Sequence, residues 1–229
     1  MASIAVQERT QPVGRRLLVK MLVVGAAGLA VGPYLNPLNW LSGLGASLDV
    51  PSSGLGFRIY TVNGIPKFDP ATWKLTLGGT PGGASGSGAP QALSLDDLKA
   101  LPQVDQTNDF HCVTGWVVKN VVWSGVRLST LLDSMGIPSS GKWVTFYSGD
   151  GEYVDSLSME QATSPNVLVA HTMNGSPLPA EQGAPLRLVI PEMYGYKGVK
   201  WLNRIEIKPT LDIGYWEQRG YPVDAFVKK

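Results

Sequence analysis

The chain has 229 residues, which suits one domain of moderate size with a short appendage. Its formal net charge is +1 and only 16% of its residues are charged, so we predict no nucleic-acid partner. The 27 glycines and 17 prolines favour a fold rich in turns and short strands over a helical bundle. The two histidines, His111 and His171, are too few for a histidine-rich metal site.

The first 48 residues differ in composition from the rest of the chain. No residue from Met21 to Leu48 is charged, but the strongly apolar run ends near Val31. That run is shorter than the roughly 20 residues that cross a bilayer, and its length is typical of a signal-peptide core. No small-x-small cleavage site stands out before Asp49. We therefore predict that residues 1–48 are an export signal or a retained amino-terminal anchor helix.

Two adjacent arginines precede the apolar run, in the order Arg15-Arg16-Leu-Leu-Val-Lys20. This order resembles the twin-arginine export signal, although basic residues that flank an ordinary signal by chance are the alternative. The resemblance implies the twin-arginine export machinery as a partner and a location in the periplasm or on the outer face of the cytoplasmic membrane. Such signals direct folded proteins, so we expect a cofactor to be inserted before export.

From residue 49 to residue 229, short strands alternate with a few short helices. The serine at position 94, followed three residues later by an acid, predicts a helix start. The glycine-rich run Gly78–Gly88 lacks any phosphate-binding motif and predicts a surface loop. The predicted strands are 57–62, 73–77, 116–118, 142–147, 186–190 and 205–207, and the predicted helices are 94–101, 128–135 and 158–162. These elements predict one α+β domain with mixed sheets.

Cys112 is the single cysteine of the chain, which excludes an intrachain disulfide bond. On the count alone, a buried, inert cysteine that acts as a small hydrophobe is the ordinary interpretation. In an exported protein, however, an unpaired thiol is a liability unless it is buried or used. The sequence around it, Phe110-His-Cys-Val-Thr-Gly-Trp116, therefore decides between the two interpretations.

Four segments resemble, in order and spacing, the molybdopterin-binding domain of the sulfite-oxidase superfamily. The first is 110–132, around Cys112, and the others are Gly149-Asp-Gly-Glu-Tyr-Val-Asp-Ser-Leu157, Val169-Ala-His-Thr-Met-Asn-Gly-Ser-Pro-Leu178 and 183–207. The resemblance implies that family's fold, a molybdenum-molybdopterin cofactor, and Cys112 as the thiolate ligand of the metal and a catalytic residue. A soft thiolate suits a redox metal, and coordination deprotonates the thiol.

The resemblance also implies a set of contacts to the pterin and its phosphate. Glycines in the segment 195–200 allow close approach, and its two lysines supply positive charge. An edge-strand charge that faces water is the alternative for Arg187, and a packing role is the alternative for His111. The implied cofactor contacts are Tyr60, Asn63, His111, Ser148, Gln182, Arg187, Lys197, Gly198, Val199 and Lys200.

Two departures from sulfite oxidases bear on the substrate. Those enzymes carry an arginine in the early stretch, where this chain has Val62, and further arginines shortly after the cysteine, where this chain has 113–117 without any. A buried dianion needs cationic partners because an unpaired charge costs several kcal/mol. The resemblance implies Tyr153 as an active-site tyrosine, with an ordinary buried strand tyrosine as the alternative. We therefore expect a small neutral S- or N-oxide rather than sulfite.

The chain contains no haem motif, iron–sulfur cysteine set or dinucleotide fingerprint. We therefore predict that electrons come from a separate membrane haem subunit or a small cytochrome. The predicted function is molybdenum-dependent oxygen-atom transfer. The alternative is a non-catalytic molybdopterin-binding or structural subunit of a membrane respiratory complex.

Overall fold

A computed structural model of the chain describes residues 47–48, 56–79, 90–136 and 143–228. The predicted twin-arginine signal or anchor, and all but two residues of the predicted loop Gly78–Gly88, lie outside the described residues. No helix in the described part of the chain is both long enough and apolar enough to span a membrane.

The described elements are mostly short strands. In chain order, the strands are β1 (Ser47–Leu48), β2 (Tyr60–Thr61), β3 (Lys74–Gly79), β4 (Gln91–Ser94), β5 (Val104–His111), β6 (Val117–Arg127), β7 (Trp143–Ser148), β8 (Val154–Ser158), β9 (Leu168–Met173), β10 (Ser176–Pro177), β11 (Arg187–Val189) and β12 (Leu202–Lys208). The helices are α1 (Leu95–Ala100), α2 (Leu128–Ser134) and α3 (Met159–Ala162), with 3-10 turns at Ala180–Gln182, Gly195–Lys197 and Glu217–Arg219.

The strands form two five-stranded sheets and one small ribbon. The first sheet has the order β4-β3-β12-β7-β8 and is mixed, because β12 runs parallel to β3 while the other pairs are antiparallel. The second sheet has the order β10-β9-β6-β5, with β11 also paired to β9, and it is antiparallel throughout. The ribbon pairs β1 with β2. The predicted α+β class with mixed sheets is confirmed for the described residues.

The three predicted helices are confirmed, because their start signals are local. Ser94 and Ser158 each accept a hydrogen bond from the backbone N–H three residues later, and the side chain of that residue bonds back to the cap. Such reciprocal bonds satisfy two of the free donors at a helix start. Helix α2 begins without a side-chain cap, and its buried leucines hold it to the core instead.

The strand predictions are partly wrong. The expected strand 57–62 is reduced to β2, because Phe57 and Ile59 are buried by side-chain packing rather than by strand pairing. The expected strand 116–118 marks only the start of β6, which is 11 residues long. Strand β3 also runs two residues into the predicted glycine-rich loop. Strands β5, β8 and β9 are absent from the prediction, because their exposed and buried residues do not alternate regularly.

The second sheet brings two backbones unusually close together at Gly125. An added Cβ there would lie 2.1 Å from the carbonyl oxygen of Val169 and 2.7 Å from the Cα of Ala170. Gly125 belongs to β6 and those neighbours belong to β9, its partner strand. Because both obstacles are backbone atoms, no side-chain rotation relieves the collision. Strand β6 continues the hairpin that carries Cys112, so this approach fixes the base of that hairpin.

We expect Gly125→Ala to destabilise the fold by about 2–4 kcal/mol, because the added methyl group overpacks a backbone contact. Gly78→Ala is the matched control, since its added Cβ would meet only Pro90 at 3.5 Å or beyond, an ordinary contact. Urea denaturation of both variants measures the difference. Equal unfolding midpoints for the two variants would show that the β6–β9 approach is not constrained.

Candidate active site

Cys112 lies in the tight turn at the tip of the β5–β6 hairpin. Its backbone N–H donates to the carbonyl of Trp116 at 2.9 Å, and the Gly115 N–H donates to the Cys112 carbonyl at 3.0 Å. Gly115 has φ +97°, a conformation that glycine adopts readily. The Cys112 thiol is partly exposed, with Sγ 3.2 Å from the Thr114 hydroxyl. The turn thus holds the thiol outside the core, which contradicts the interpretation of an inert buried cysteine.

Arg187 and Gln182 form a buried pair close to this hairpin. Arg187 is only 3% exposed, so the interpretation as an edge-strand charge that faces water is wrong. Its guanidinium donates to the backbone and side-chain oxygens of Gln182 at 3.0 and 3.1 Å. The guanidinium also lies 4.9 Å from the ring centroid of Trp123 and 5.8 Å from that of Phe110. Burial lowers the pKa of Arg187 to about 10.

Two donors of this pair point to a missing ligand. In the described part of the chain, neither Arg187 Nε nor Gln182 Nε2 has a hydrogen-bond partner, although both atoms are buried. A buried donor without a partner costs about 1–3 kcal/mol, so such atoms call for an acceptor from outside the chain. An added Cβ at Gly198 would lie 2.9 Å from the Leu188 carbonyl oxygen and 3.5 Å from the guanidinium. These residues fit an anionic or polar cofactor that lies against the backbone.

Lys200 brings a second, half-buried cation to the same region. Its ammonium donates to the carbonyls of Tyr60 at 2.7 Å and Glu181 at 3.2 Å, and lies 4.3 Å from the ring centroid of Trp201. Burial, and then the charge of Arg187, lower the pKa of Lys200 to about 7. An anion beside the ammonium would raise the pKa of Lys200 again and so favour its charged form. The structure thus brings three predicted contacts, Tyr60, Arg187 and Lys200, into one neighbourhood.

Asn63 and Ser148 meet through the turn after β7. The Asn63 side chain donates to the Asp150 carbonyl at 3.2 Å, and the Asp150 N–H donates to the Ser148 hydroxyl at 3.2 Å. The Asp150 carboxylate lies near enough to Lys200 to oppose the lowering of its pKa. Ser148 is 5% exposed, whereas Asn63 is exposed. Both predicted contacts therefore lie at the edge of the region that Lys200 occupies.

His111 and Val199 complete the predicted set. His111 lines a narrow cavity together with Arg187 and Gly198, so the structure brings it to the predicted cofactor region. The Val199 side chain is fully buried in the hydrophobic core, and its carbonyl accepts the Leu188 N–H at 2.8 Å. Any contact of Val199 with a ligand therefore uses backbone atoms.

Lys197 does not occupy the position that the sequence suggested. Its side chain is 1% exposed, and its ammonium donates to Asp155 at 2.5 Å, to Glu217 at 2.5 Å and to the Ser156 carbonyl at 2.8 Å. An ammonium has three hydrogens, and all three are used. The expectation that Lys197 offers charge to a phosphate is therefore not supported, because its charge is already neutralised inside the core. Lys200 remains the lysine available to a ligand.

Tyr153 is likewise held away from the hairpin tip. Its hydroxyl donates to the Tyr196 carbonyl at 2.5 Å, and its ring packs against the core and stacks on Tyr215 at 5.6 Å. Burial, and then the charge of Asp155, raise the pKa of Tyr153 well above its ordinary value. The structure favours the alternative of a buried structural tyrosine over an active-site donor.

Tyr221 is a candidate that the sequence reasoning missed. Burial, followed by the charges of Cys112 and Tyr60, raises its pKa, so its phenol lies within electrostatic range of both residues. Its ring also contacts those of Tyr196 at 5.4 Å and Trp216 at 5.3 Å. The only signal in the sequence was an aromatic-rich run, 215–221, after the last strand. That run had no motif that tied it to Cys112.

The buried guanidinium and the unpaired donors of Arg187 and Gln182, close to the hairpin that carries the partly exposed Cys112, fit an anionic cofactor. A family model described as the oxidoreductase molybdopterin-binding domain matches residues 62–216, more than half of the chain. The chain belongs to this family, and its cofactor is molybdopterin with molybdenum. The resemblance to the sulfite-oxidase superfamily is confirmed.

Individual relatives agree with this assignment. The chain is similar to an uncharacterized oxidoreductase, YuiH, of Bacillus subtilis (36% identity over 58% of this chain and 66% of that protein). It is also similar to YedZ1 of Azospira oryzae, provisionally named as a protein-methionine-sulfoxide reductase subunit (38% over 57% and 49%). Human mitochondrial sulfite oxidase is 32% identical over 69% of this chain but only 33% of its own length.

A solved structure shows the same fold. The sulfane dehydrogenase SoxCD from Paracoccus pantotrophus matches with a TM-score of 0.60 at 21% identity, over 80% of this chain and 55% of that chain. The chain therefore corresponds to only part of the longer proteins that it matches.

The buried cluster of Lys197, Asp155 and Glu217 predicts a pH dependence of stability. Burial raises the pKa of Asp155 to about 7 although Lys197 opposes the shift, and the charge of Glu217 adds to it. The folded protein therefore binds a proton that the unfolded chain releases at lower pH. This contribution to stability is fully present below about pH 4 and is lost as the pH rises through about 7.

We expect Asp155→Asn to flatten the fall in unfolding free energy between pH 5 and pH 8. Urea denaturation of the wild type and the variant at both pH values measures the two slopes. Asp133→Asn, at the exposed end of α2, is the control and should keep the wild-type slope. Identical slopes for the wild type and Asp155→Asn would contradict the assignment of the proton to Asp155.

Proposed function

We propose that the chain catalyses molybdenum-dependent oxygen-atom transfer and reduces a neutral S- or N-oxide. The observation that carries this proposal is the partly exposed thiol of Cys112 at the tip of a hairpin whose Phe110 ring contacts the buried guanidinium of Arg187. A thiol held outside the core by a tight turn is placed to bind a soft metal. The cations Arg187 and Lys200, with the unpaired donors of Arg187 and Gln182, are placed to bind an anionic pterin.

Each residue of the site has a separate task in this proposal. Arg187, Gln182 and Lys200 bind the pterin and its phosphate, and Gly198 lets the chain pack closely against Leu188 beside the guanidinium of Arg187. Cys112 supplies the protein's thiolate. When bound, the cofactor would supply two-electron chemistry at its metal, so that two electrons from the donor and two protons convert the oxide to its reduced form and water. Tyr221 keeps its phenolic proton at neutral pH, because its pKa is raised, and its hydroxyl donates a hydrogen bond to the substrate oxygen.

The substrate proposal depends on charge near Cys112. The residues that follow it, 113–117, contain no arginine, and the early stretch has Val62 where sulfite oxidases have an arginine. Of the five described arginines, Arg187 is buried with Gln182 and Arg204 pairs with Glu206. Arg219 donates to the Tyr215 carbonyl, Arg58 is exposed, and Arg127 lies at the end of β6 remote from Cys112. The name of YedZ1, which refers to methionine sulfoxide, supports the same class of substrate. A neutral oxide therefore suits this site better than a dianion.

The partners and the location are further parts of the proposal. We infer that electrons come from a separate haem subunit or cytochrome. The sequence Arg15-Arg16-Leu-Leu-Val-Lys20 supports export of the folded protein by the twin-arginine machinery, to the periplasm or the outer face of the cytoplasmic membrane.

With reduced dye as the donor, we expect the cofactor-loaded protein to reduce a neutral sulfoxide or N-oxide. We expect the kcat/KM of that reaction to exceed that of sulfite oxidation by at least about a hundredfold, because an unpaired dianion is costly to desolvate. Steady-state assays in both directions on one preparation measure the ratio. Cys112→Ser is the control and should lose most of either activity. A higher kcat/KM for sulfite would contradict the substrate proposal, and no turnover of any oxide would favour a non-catalytic subunit.

Replacing Arg15 and Arg16 together with lysine should retain the protein in the cytoplasm with its cofactor bound. Arg9→Lys, which lies outside the pair, is the matched control and should be exported normally. Fractionation of cells with immunodetection and molybdenum analysis measures both results. Normal export of the double variant would contradict the twin-arginine proposal.

A further inference from the structure

Residues 213–227 lie along the 3-10 turn Gly195–Lys197, which directly precedes Gly198. We call residues 213–227 the C-terminal strap and Gly195–Lys197 the cofactor turn. The Tyr194 N–H donates to the Ala225 carbonyl at 2.9 Å, and the Val227 N–H donates to the Glu192 carbonyl at 2.8 Å. The strap is therefore bonded to the backbone of Glu192 and Tyr194, directly before the 3-10 turn Gly195–Lys197.

The buried carboxylate of Glu217 joins the strap to the cofactor turn. Glu217 Oε1 accepts the ammonium of Lys197 at 2.5 Å, and Glu217 Oε2 accepts the N–H of Gly214 at 2.9 Å. Lys197 is the last residue of the 3-10 turn Gly195–Lys197, directly before Gly198. The two oxygens thus connect the strap's own backbone to the cofactor turn. The Lys197 and Glu217 side chains are each 1% exposed, so water does not replace either bond.

The strap carries Tyr221, and the same contacts hold it. The Tyr221 N–H donates to the Trp216 carbonyl at 3.2 Å, and its ring lies between those of Trp216 and Tyr196. The Tyr196 hydroxyl donates to the Pro222 carbonyl at 2.6 Å. Tyr221 is therefore placed by the strap on one side and by the cofactor turn on the other. The family match ends at residue 216, so Glu217 and Tyr221 lie beyond it.

We propose that Glu217 is a positioning residue that locks the C-terminal strap to the cofactor turn and so keeps Tyr221 beside Cys112. The chemical use of Tyr221 rests on the proposed function, but the positioning does not. Glu217 acts through Lys197 and Gly214 and touches neither the substrate nor the metal ligand. Glutamine at this position has one acceptor oxygen for two buried donors, so one of the two bonds must break.

The reaction of Cys112 with a thiol reagent tests this proposal on the full chain, prepared without cofactor. Cys112 is the only cysteine, so the labelling rate reports on this site alone. We expect Glu217→Gln to raise the rate about three- to tenfold through local opening of the strap, towards the rate of Tyr221→Ala. Glu206→Gln is the matched control, because Glu206 also pairs with a basic residue, Arg204, but lies on β12 and makes no hydrogen bond to the described residues 213–227.

Glu217→Asp provides a second, milder variant that keeps the charge. Its shorter carboxylate does not reach both donors, and we expect an intermediate labelling rate. Hydrogen exchange of the amides of 194–199 should also become faster, while exchange in β7 stays unchanged. A Glu217→Gln rate equal to that of Glu206→Gln would overturn the proposal, as would equal acceleration of exchange in the turn and in β7.

The labelling rate of Cys112 and the turnover together distinguish a failure of this proposal from a failure of the proposed function. Faster labelling in Glu217→Gln, in a protein without turnover, would support the positioning role and contradict the enzyme. Normal turnover in the wild type, with unchanged labelling in both Glu217 variants, would support the enzyme and overturn the positioning role.

Discussion

Three cations of this domain, Lys197, Arg187 and Lys200, are withdrawn from water, and each must be compensated by the protein or by a ligand. Lys197 receives two carboxylates and a carbonyl, so its charge is satisfied within the fold. Arg187 and Lys200 receive carbonyls, an amide oxygen and aromatic faces instead. Neutral partners do not cancel a buried charge, and burial lowers the pKa of both groups. The domain therefore carries a positive region that an anionic cofactor completes.

The two residues between Lys197 and Lys200 separate these two roles. Lys197 closes a 3-10 turn and points into the core, whereas Lys200 donates to the Tyr60 carbonyl. Val199, between them, is fully buried. One lysine thus anchors the turn and the other faces the ligand. Removal of the anchoring lysine would leave two carboxylates without their cation, a loss of about 3–5 kcal/mol for a buried charge group.

The sequence predicted those features whose cause is local. The Ser94 cap predicted α1, and the helical patterns of 128–135 and 158–162 predicted α2 and α3. The sequence failed where a residue's role depends on a distant partner. Nothing near Lys197 indicates that Asp155 and Glu217 would neutralise it, since they lie 42 and 20 residues away along the chain.

The two candidate tyrosines, Tyr153 and Tyr221, show the same limit of prediction from sequence. Tyr153 lies in a recognisable motif, but its hydroxyl is used by the Tyr196 carbonyl, which is 43 residues away. Tyr221 has no motif, and it reaches the neighbourhood of Cys112 only because the strap folds back across the turn. Pairing across the fold, rather than local pattern, decides which of two tyrosines is available to a substrate.

The site is assembled from three supports that differ in rigidity. Cys112 is carried by a long hairpin whose base is fixed by the close backbone approach at Gly125. Arg187 is carried by β11, buried within the second sheet. Tyr221 is carried by a strap that belongs to neither sheet and contacts the domain through a few hydrogen bonds and rings.

Local opening requires least free energy where few apolar contacts are lost, so the strap is the element expected to open first. Because the cofactor turn shares its buried carboxylate with this strap, opening of the strap disturbs the cofactor and the tyrosine together. The carboxylate of Glu217 thereby couples the strap, the least stable element of the site, to Lys197, the most buried cation.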